Sequence, residues 1–168
     1  MKNKFPLSRI GNTSNPKIVI LLANPGGDIT DKNLPERKMG NKYKSESMKF
    51  SIFRKYCDWW DTLLKITDEY NIKDSYVCSL DYYPYHSKTS KDIPNKKKWD
   101  DYSLKMLEKN KKLLTKFINK KIPIFGYYYC KYWLKEIPKL QDNNFYKSKG
   151  RWKNTKRQEF RKFVKKII

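Results

Sequence analysis

The feature that most constrains the fold is a continuous apolar run near the start of the chain. Residues 17–23 read Lys-Ile-Val-Ile-Leu-Leu-Ala, and turn residues stop the run at Asn24-Pro25-Gly26-Gly27-Asp28. A β-branched run of this length, bounded by turn residues, is typical of a strand that is buried on both faces at the centre of a parallel sheet. We therefore expect the loop that follows to lie at the carboxyl end of a central strand.

Strand and helix patterns alternate along the rest of the chain. Apolar runs predict further strands at residues 75–80 and 122–126 and around 144–146. Stripes with a three-four spacing predict helices at residues 50–70 and 96–120, through Tyr129 to a stop before Pro138, and at the C-terminus. Residues 29–46 are polar without periodicity, which predicts a long surface loop. The alternation predicts an α/β fold: one domain over residues 1–168, a three-layer sandwich around a mostly parallel sheet of about four strands.

The charge balance indicates a polyanionic partner. The chain has 39 lysines and arginines against 17 aspartates and glutamates, a formal net charge of +22. Such a field attracts nucleic acid, with DNA favoured, and self-repulsion predicts a monomer. No apolar run approaches the roughly 20 residues of a membrane span, so we expect no membrane partner. The start of the sequence is basic without an apolar segment, which predicts no secretory signal and a cytoplasmic location.

Cysteine and histidine usage argues against a metal centre. The three cysteines, Cys57, Cys78 and Cys130, are odd in number, far apart and set in apolar surroundings. This pattern predicts buried thiols and neither a disulfide framework nor a zinc site. His86 is the single histidine, too few for a transition-metal site. We expect neither a metal nor an organic cofactor.

The loop after the first strand has the residues of a binding or catalytic site. Its glycines, Gly26 and Gly27, let a ligand approach the backbone, while Asn24 and Asp28 supply an amide and a carboxylate. An ordinary strand-to-loop turn is the alternative. The loop lacks the Lys-Ser/Thr ending of a P-loop and the third glycine of a dinucleotide fingerprint, which disfavours nucleoside triphosphates and dinucleotides.

Two further loops follow predicted strands. The first carries His86, able to stabilise an anion or shuttle a proton, beside a carboxylate and aromatic faces that suit bases: Asp81, Tyr82 and Tyr85. The second is a basic cluster with an aromatic ring, suited to phosphates and base stacking: Lys147, Lys149, Arg151 and Trp152. A surface histidine and a solvated charged face are the alternatives. Because ligands bind at the carboxyl ends of parallel strands, we expect all three loops to open on one edge of the sheet.

Three short segments resemble the uracil-DNA glycosylase superfamily. The first is Leu22-Ala23-Asn24-Pro25-Gly26, similar to the Asn-Pro-Gly form of that family's first loop; the others are residues 76–84 and 122–126. The resemblance implies that a base is flipped into a pocket at the strand ends and cut at its N-glycosidic bond. It implies that Asn24 positions the attacking water, with Asp28 in reserve. Lys147 or His86, helped by the main-chain N–H groups of the two glycines, would stabilise the departing base.

The sequence also departs from that family. No histidine follows His86, and Lys147-Ser148-Lys149 stands where the family has a His-Pro-Ser-type loop. The family's base-recognising asparagine would fall near Ser79 or Asp81. A non-catalytic nucleic-acid-binding or interaction protein with the same fold is therefore the alternative function. A nucleoside or nucleotide hydrolase is a third, against which the net charge of +22 counts.

Overall fold

A computed structural model describes residues 9–24, 34–39, 48–86, 90–127, 130–142, 144–149 and 153–168. The strands are β1 (Arg9–Gly11), β2 (Ile18–Leu22), β3 (Val77–Asp81), β4 (Ile124–Gly126) and β5 (Phe145–Lys147). They form one sheet in the order β1-β3-β2-β4-β5, in which β1 runs antiparallel to β3 and the other pairings are parallel. The prediction of a mostly parallel α/β sheet is confirmed.

The sheet has five strands where about four were predicted. The additional strand, β1, has three residues and no apolar run, so its sequence gives no strand signal. Gly11 ends it with a positive φ of 88°, and a Cβ there would lie 2.2 Å from the main-chain oxygen of Val77. Only glycine fits this close approach between β1 and the start of β3.

The α-helices are α1 (Pro35–Met39), α2 (Phe50–Phe53), α3 (Asp58–Asp68), α4 (Asp101–Asn119), α5 (Lys131–Glu136) and α6 (Lys153–Ile167). The prediction of a long surface loop at residues 29–46 is wrong in the described part of that segment. There the chain forms α1, which follows the buried Leu34 and ends with the buried Met39. The helix predicted through Tyr129 begins at Lys131, and Tyr129 itself lies outside the described residues. That helix ends before Pro138, as predicted.

Two predicted long helices are shorter than expected. The stripe at residues 50–70 is divided into α2, a 3-10 turn (Arg54–Tyr56) and α3, because Cys57 adopts an extended conformation. In the turn, Arg54 donates hydrogen bonds of 2.9 Å to three carboxylates, which fixes the break. The helix predicted from residue 96 begins at Asp101, because the Asp100 side chain caps it by accepting from the main-chain N–H of Ser103 at 2.8 Å.

The core lies on both faces of the sheet. Alternate residues of β2 point to opposite faces, so Ile18 and Ile20 pack with α3 and α6 while Val19 and Leu21 pack with α4 and α5. All five residues of β2 are buried, as the apolar run predicts. Among the described helices, none is long and apolar enough to cross a membrane. Cys78 and Cys130 are buried free thiols, and Cys57 is partly buried.

Candidate functional site

The strand order places a topological switch point at the carboxyl end of the central strand, where open α/β sheets form a ligand-binding crevice. After β2 the chain moves to β3 on one side and then crosses to β4 on the other, so the carboxyl ends of β2 and β4 form a topological switch point. Asn24 lies two residues beyond β2 and is partly buried. Tyr127 follows β4 directly, and its N–H donates to the main-chain oxygen of Leu21 at 3.0 Å. Ligands of open α/β sheets bind at such a crevice.

The structure places the described members of the three predicted loops at one edge. Leu22 at the end of β2 is paired with Asp81 at the end of β3, and Gly126 at the end of β4 is paired with Lys147. Asn24 therefore shares the carboxyl edge with both. Lys147 lies two strands away from β2, whereas Asp81 is on a neighbouring strand. The other predicted residues, Pro25, Gly26, Gly27, Asp28, Arg151 and Trp152, lie outside the described residues.

Asp81 is a carboxylate buried at the end of β3, with 1 % of its surface exposed. Alternation along the strand places it on the sheet face that packs against α3 and α6, because Leu80 and Tyr82 pack on the opposite face. Its main-chain oxygen accepts a hydrogen bond of 3.1 Å from the buried side-chain amide of Asn110 on α4. The end of β3 is thereby attached to the long helix behind it.

The tyrosine loop is more deeply packed than its sequence indicates. Tyr82 is 6 % exposed and its ring contacts Trp99, Tyr132 and Trp133, so it belongs to the core and has no open stacking face. Burial and the nearby Glu136 carboxylate raise the pKa of Tyr82 well above its usual value. His86, at the end of the same loop, is 8 % exposed. Tyr82 therefore serves packing, and the side chain of His86 is largely covered by the protein.

Tyr85, in the same loop, is only partly buried. Its hydroxyl donates to Asp100 at 3.0 Å, so the loop is joined to the first turn of α4. Partial burial, with the Asp100 hydrogen bond, raises the pKa of Tyr85 to about 12. At neutral pH its hydroxyl is therefore protonated and acts as a hydrogen-bond donor.

The basic segment after β5 is held in place by one carboxylate. Glu159 on α6 accepts a hydrogen bond from the Ser148 hydroxyl at 2.5 Å and another from the Lys149 main-chain N–H at 3.1 Å. The side chains of Lys147 and Lys149 are exposed. This geometry presents two lysines to solvent from a fixed backbone, as an anion-binding segment requires.

A buried lysine, which the sequence did not single out, lies beside the switch point. Lys156 on α6 is 5 % exposed, and its Nζ lies 5.8 Å from the centre of the Tyr127 ring. Burial lowers the pKa of Lys156 to about 8, although Glu159 and Cys130 favour the charged form. Burial raises the pKa of the Cys130 thiol, against the attraction of Lys147 and Lys156. Near neutral pH the ammonium group thus gives up its proton more easily than an ordinary lysine.

Aromatic rings complete this side of the edge. Trp59 on α3 contacts Tyr127 edge to face, with ring centres 5.0 Å apart. Neither Trp59 nor Lys156 has a sequence signal of its own. Trp59 lies within the helix predicted at residues 50–70, and Lys156 is one of 39 lysines and arginines. The described residues contain no group of three His, Cys, Asp or Glu side chains that could hold a metal ion.

Comparisons with protein-family models, with curated proteins and with solved structures find no match to this chain. Asn24 offers an amide that can orient a water molecule, Asp81 a buried carboxylate and Lys156 a readily deprotonated amine. Together with the exposed Lys147 and Lys149, they suit a ligand that has a polar reacting group and negatively charged flanks.

Proposed function

We propose that this chain is a DNA base-processing protein that hydrolyses the N-glycosidic bond of a flipped nucleotide. The observation that carries the proposal is the position of Asn24, at the carboxyl end of the central strand beside the switch point, in a chain with a net charge of +22. The charge supports a polyanionic substrate, and the crevice supports a ligand that enters between β2 and β4.

The reaction divides between the groups of the edge. The amide oxygen of Asn24 accepts a hydrogen bond from a water molecule, whose oxygen then forms a bond to C1′ of the sugar. The C1′–N bond breaks and its electron pair leaves with the base; the water gives up one proton and the base takes one up, so that the products are a free base and an abasic sugar. Negative charge develops on the departing base, and a nearby cation stabilises it. Lys156, beside Tyr127, and Lys147, at the end of β5, are two lysines that could supply this cation.

The phosphates beside the flipped nucleotide supply most of the affinity in this proposal. Lys147 and Lys149 are exposed on a segment that Glu159 holds in place. Phosphate contacts position the strand without reading its sequence. Binding and catalysis are therefore assigned to different residues of the same edge, which makes them separable by mutation.

A non-catalytic nucleic-acid-binding protein is the second candidate. The observation that favours it is the burial of the tyrosine loop: Tyr82 packs in the core and offers no open face on which a base could stack, and His86 is only 8 % exposed. The exposed Lys147 and Lys149 suit phosphate binding in either case.

The test uses oligonucleotides that each carry one modified or mismatched base, in single- and double-stranded form. The chain is incubated with each of them, and abasic sites are scored by strand cleavage in alkali. We expect at least one oligonucleotide to lose its base at a rate that Asn24→Ala reduces by about two to four orders of magnitude. Tight binding with every base left intact would support the second candidate and overturn the first.

A further inference from the structure

The solvent face of α4 carries a row of lysines that the function proposed above does not use. Helical spacing of three and four residues brings four of them onto one side of the helix, and a fifth follows at its C-cap. We call these five residues the lysine row: Lys105, Lys109, Lys112, Lys116 and Lys120.

The row points away from the core. The buried residues of α4, such as Met106, Leu114 and Phe117, lie on the opposite side of the helix and pack against the sheet. Four members of the row are exposed, and Lys109 is partly buried. Within the part of the chain that the structure describes, no ion pair is found for Lys105, Lys112, Lys116 or Lys120.

An ordinary solvated helix alternates the signs of its charges, and the later part of this face does not. Asp101 and Glu108 lie on the same side as the first lysines, and Glu108 is engaged by Lys111 at 2.9 Å. From Lys109 to Lys120 the sequence contains no acidic residue. Lysines at a spacing of three or four residues repel each other, so an anionic ligand would stabilise this part of the row.

We infer that the lysine row is a binding surface for the phosphate backbone of DNA that extends from the carboxyl edge. The inference rests on the proposed function, because it assigns a path to the DNA that flanks the flipped nucleotide. The Asn110 amide on α4 is bonded to the main-chain oxygen of Asp81, so this helix is fixed to the candidate site. The lysine row starts near Asn110, beside the carboxyl edge, and continues along α4 toward the opposite edge of the sheet.

The row spans a short length of duplex. From Lys105 to Lys120, the residue that caps α4, it extends about 22 Å at 1.5 Å per residue. At 3.4 Å per base pair along the duplex axis, that length matches about six or seven base pairs. DNA that reaches from the carboxyl edge along α4 must be at least this long to use the whole row.

A lipid surface fits the row less well than DNA. Helices that lie on membranes insert an apolar face, but the apolar face of α4 is buried against the sheet. Among the described residues, the large apolar side chains that are exposed are Ile52 and Ile168, and neither is on α4. The row thus offers charge without an apolar anchor, as a phosphate-backbone surface does.

The experiment compares two double variants that remove the same charge. Lys112→Ala with Lys116→Ala removes the centre of the row, while Lys165→Ala with Lys166→Ala removes two exposed lysines at the end of α6, on the other face of the sheet. Binding to a random-sequence DNA duplex longer than the row is measured over a range of salt concentrations. We expect the slope of log affinity against log salt to become shallower by about 1.8 in the row variant, or 0.9 per lost phosphate contact. The α6 variant should keep the wild-type slope.

Equal slopes in the two variants, with wild-type DNA binding and base release intact, would overturn the lysine row and leave the proposed function standing. Absence of DNA binding by the wild type would overturn both the lysine row and the proposed function.

A second experiment measures the binding of the same variants to vesicles of phosphatidylcholine and phosphatidylserine. If the row variant lost vesicle binding and kept its DNA slope, the surface would be assigned to lipid and the inference would fail. Circular dichroism checks that both variants are folded, which is expected because all four lysines are exposed.

Discussion

The indole N–H of Trp133 donates a hydrogen bond of 2.8 Å to the main-chain oxygen of Leu22, the last residue of β2. The same oxygen accepts from the N–H of Tyr82 at 3.0 Å. Trp133 is fully buried on α5, so this helix and the β3 side of the sheet together fix the end of the central strand. Asn24 lies two residues further along, and its position depends on this anchor.

Trp133→Phe keeps the buried ring and removes the donor. Because the Leu22 oxygen retains its bond from Tyr82, we expect the free energy of unfolding to fall by about 1 to 2 kcal/mol, from the lost hydrogen bond and the smaller ring. A displaced Asn24 should also slow base release by about ten- to a hundredfold. Urea unfolding and the base-release assay measure the two effects. Lower stability with unchanged base release would show that the anchor does not position Asn24.

Arg54 is the centre of the break between α2 and α3. Its guanidinium, 18 % exposed, bonds to Asp61, Asp68 and Asp74 at 2.9 Å each. Although partial burial opposes its charge, the three carboxylates raise the pKa of Arg54. Arg54→Met leaves these carboxylates to repel one another, and we expect the free energy of unfolding to fall by about 2 kcal/mol.

Arg161→Met is the matched control for Arg54→Met. Arg161 also binds a carboxylate through two nitrogens, that of Glu69 at 2.7 and 3.0 Å, but both side chains are about half exposed. Solvent screens an exposed pair, so this variant should change stability much less. The midpoints of urea unfolding compare the stabilities of the two variants. Equal losses of stability would contradict a special role for the three-carboxylate cluster around Arg54.

Lys156 gives a pH dependence with a definite sign. Burial lowers its pKa from the usual 10.5 to about 8, so below that pH the folded state holds an ammonium group that the unfolded chain hydrates better. As the pH rises from about 7 to 9.5, the folded state loses this proton first, and stability should rise by about 2 kcal/mol relative to Lys156→Met. Tyr82 and Tyr85 have raised pKa values, so their contribution to stability falls at higher pH. The wild type and Lys156→Met share this contribution, which largely cancels when the two stabilities are subtracted. A difference that is flat across this range would contradict a buried cationic lysine.

The central fold was predictable because complete burial leaves a clear pattern. The apolar run of β2 and the strand-helix alternation gave the parallel sheet correctly. The edge strand β1 was missed because three residues, one of them a glycine, are too few to show the alternation of polar and apolar residues that marks a strand. The break at Cys57 was missed for another reason: it depends on Arg54 reaching carboxylates that are up to 20 residues away in sequence.

The site was only partly predictable from the sequence. The rule that parallel strands end at one edge correctly predicted that Asn24, Asp81 and Lys147 share the carboxyl edge of the sheet. Sequence composition could not show that Tyr82 faces the core, because an aromatic residue after a strand suits both a stacking face and a packed ring. Lys156 was hidden among 39 basic residues, because its burial on α6 beside Tyr127 leaves no signal in the sequence.

Separating binding from base release tests the proposed function most directly. Asn24→Ala and the double variant Lys147→Ala with Lys149→Ala are compared on the same modified duplex, with affinity and single-turnover base release measured side by side. Asn24→Ala should lose base release by about two to four orders of magnitude and keep the wild-type affinity. The lysine variant should keep its single-turnover rate at saturating protein and show a salt slope shallower by about 1.8. If Asn24→Ala instead lost folding and binding together, Asn24 would be a structural turn residue and the proposed mechanism would be wrong.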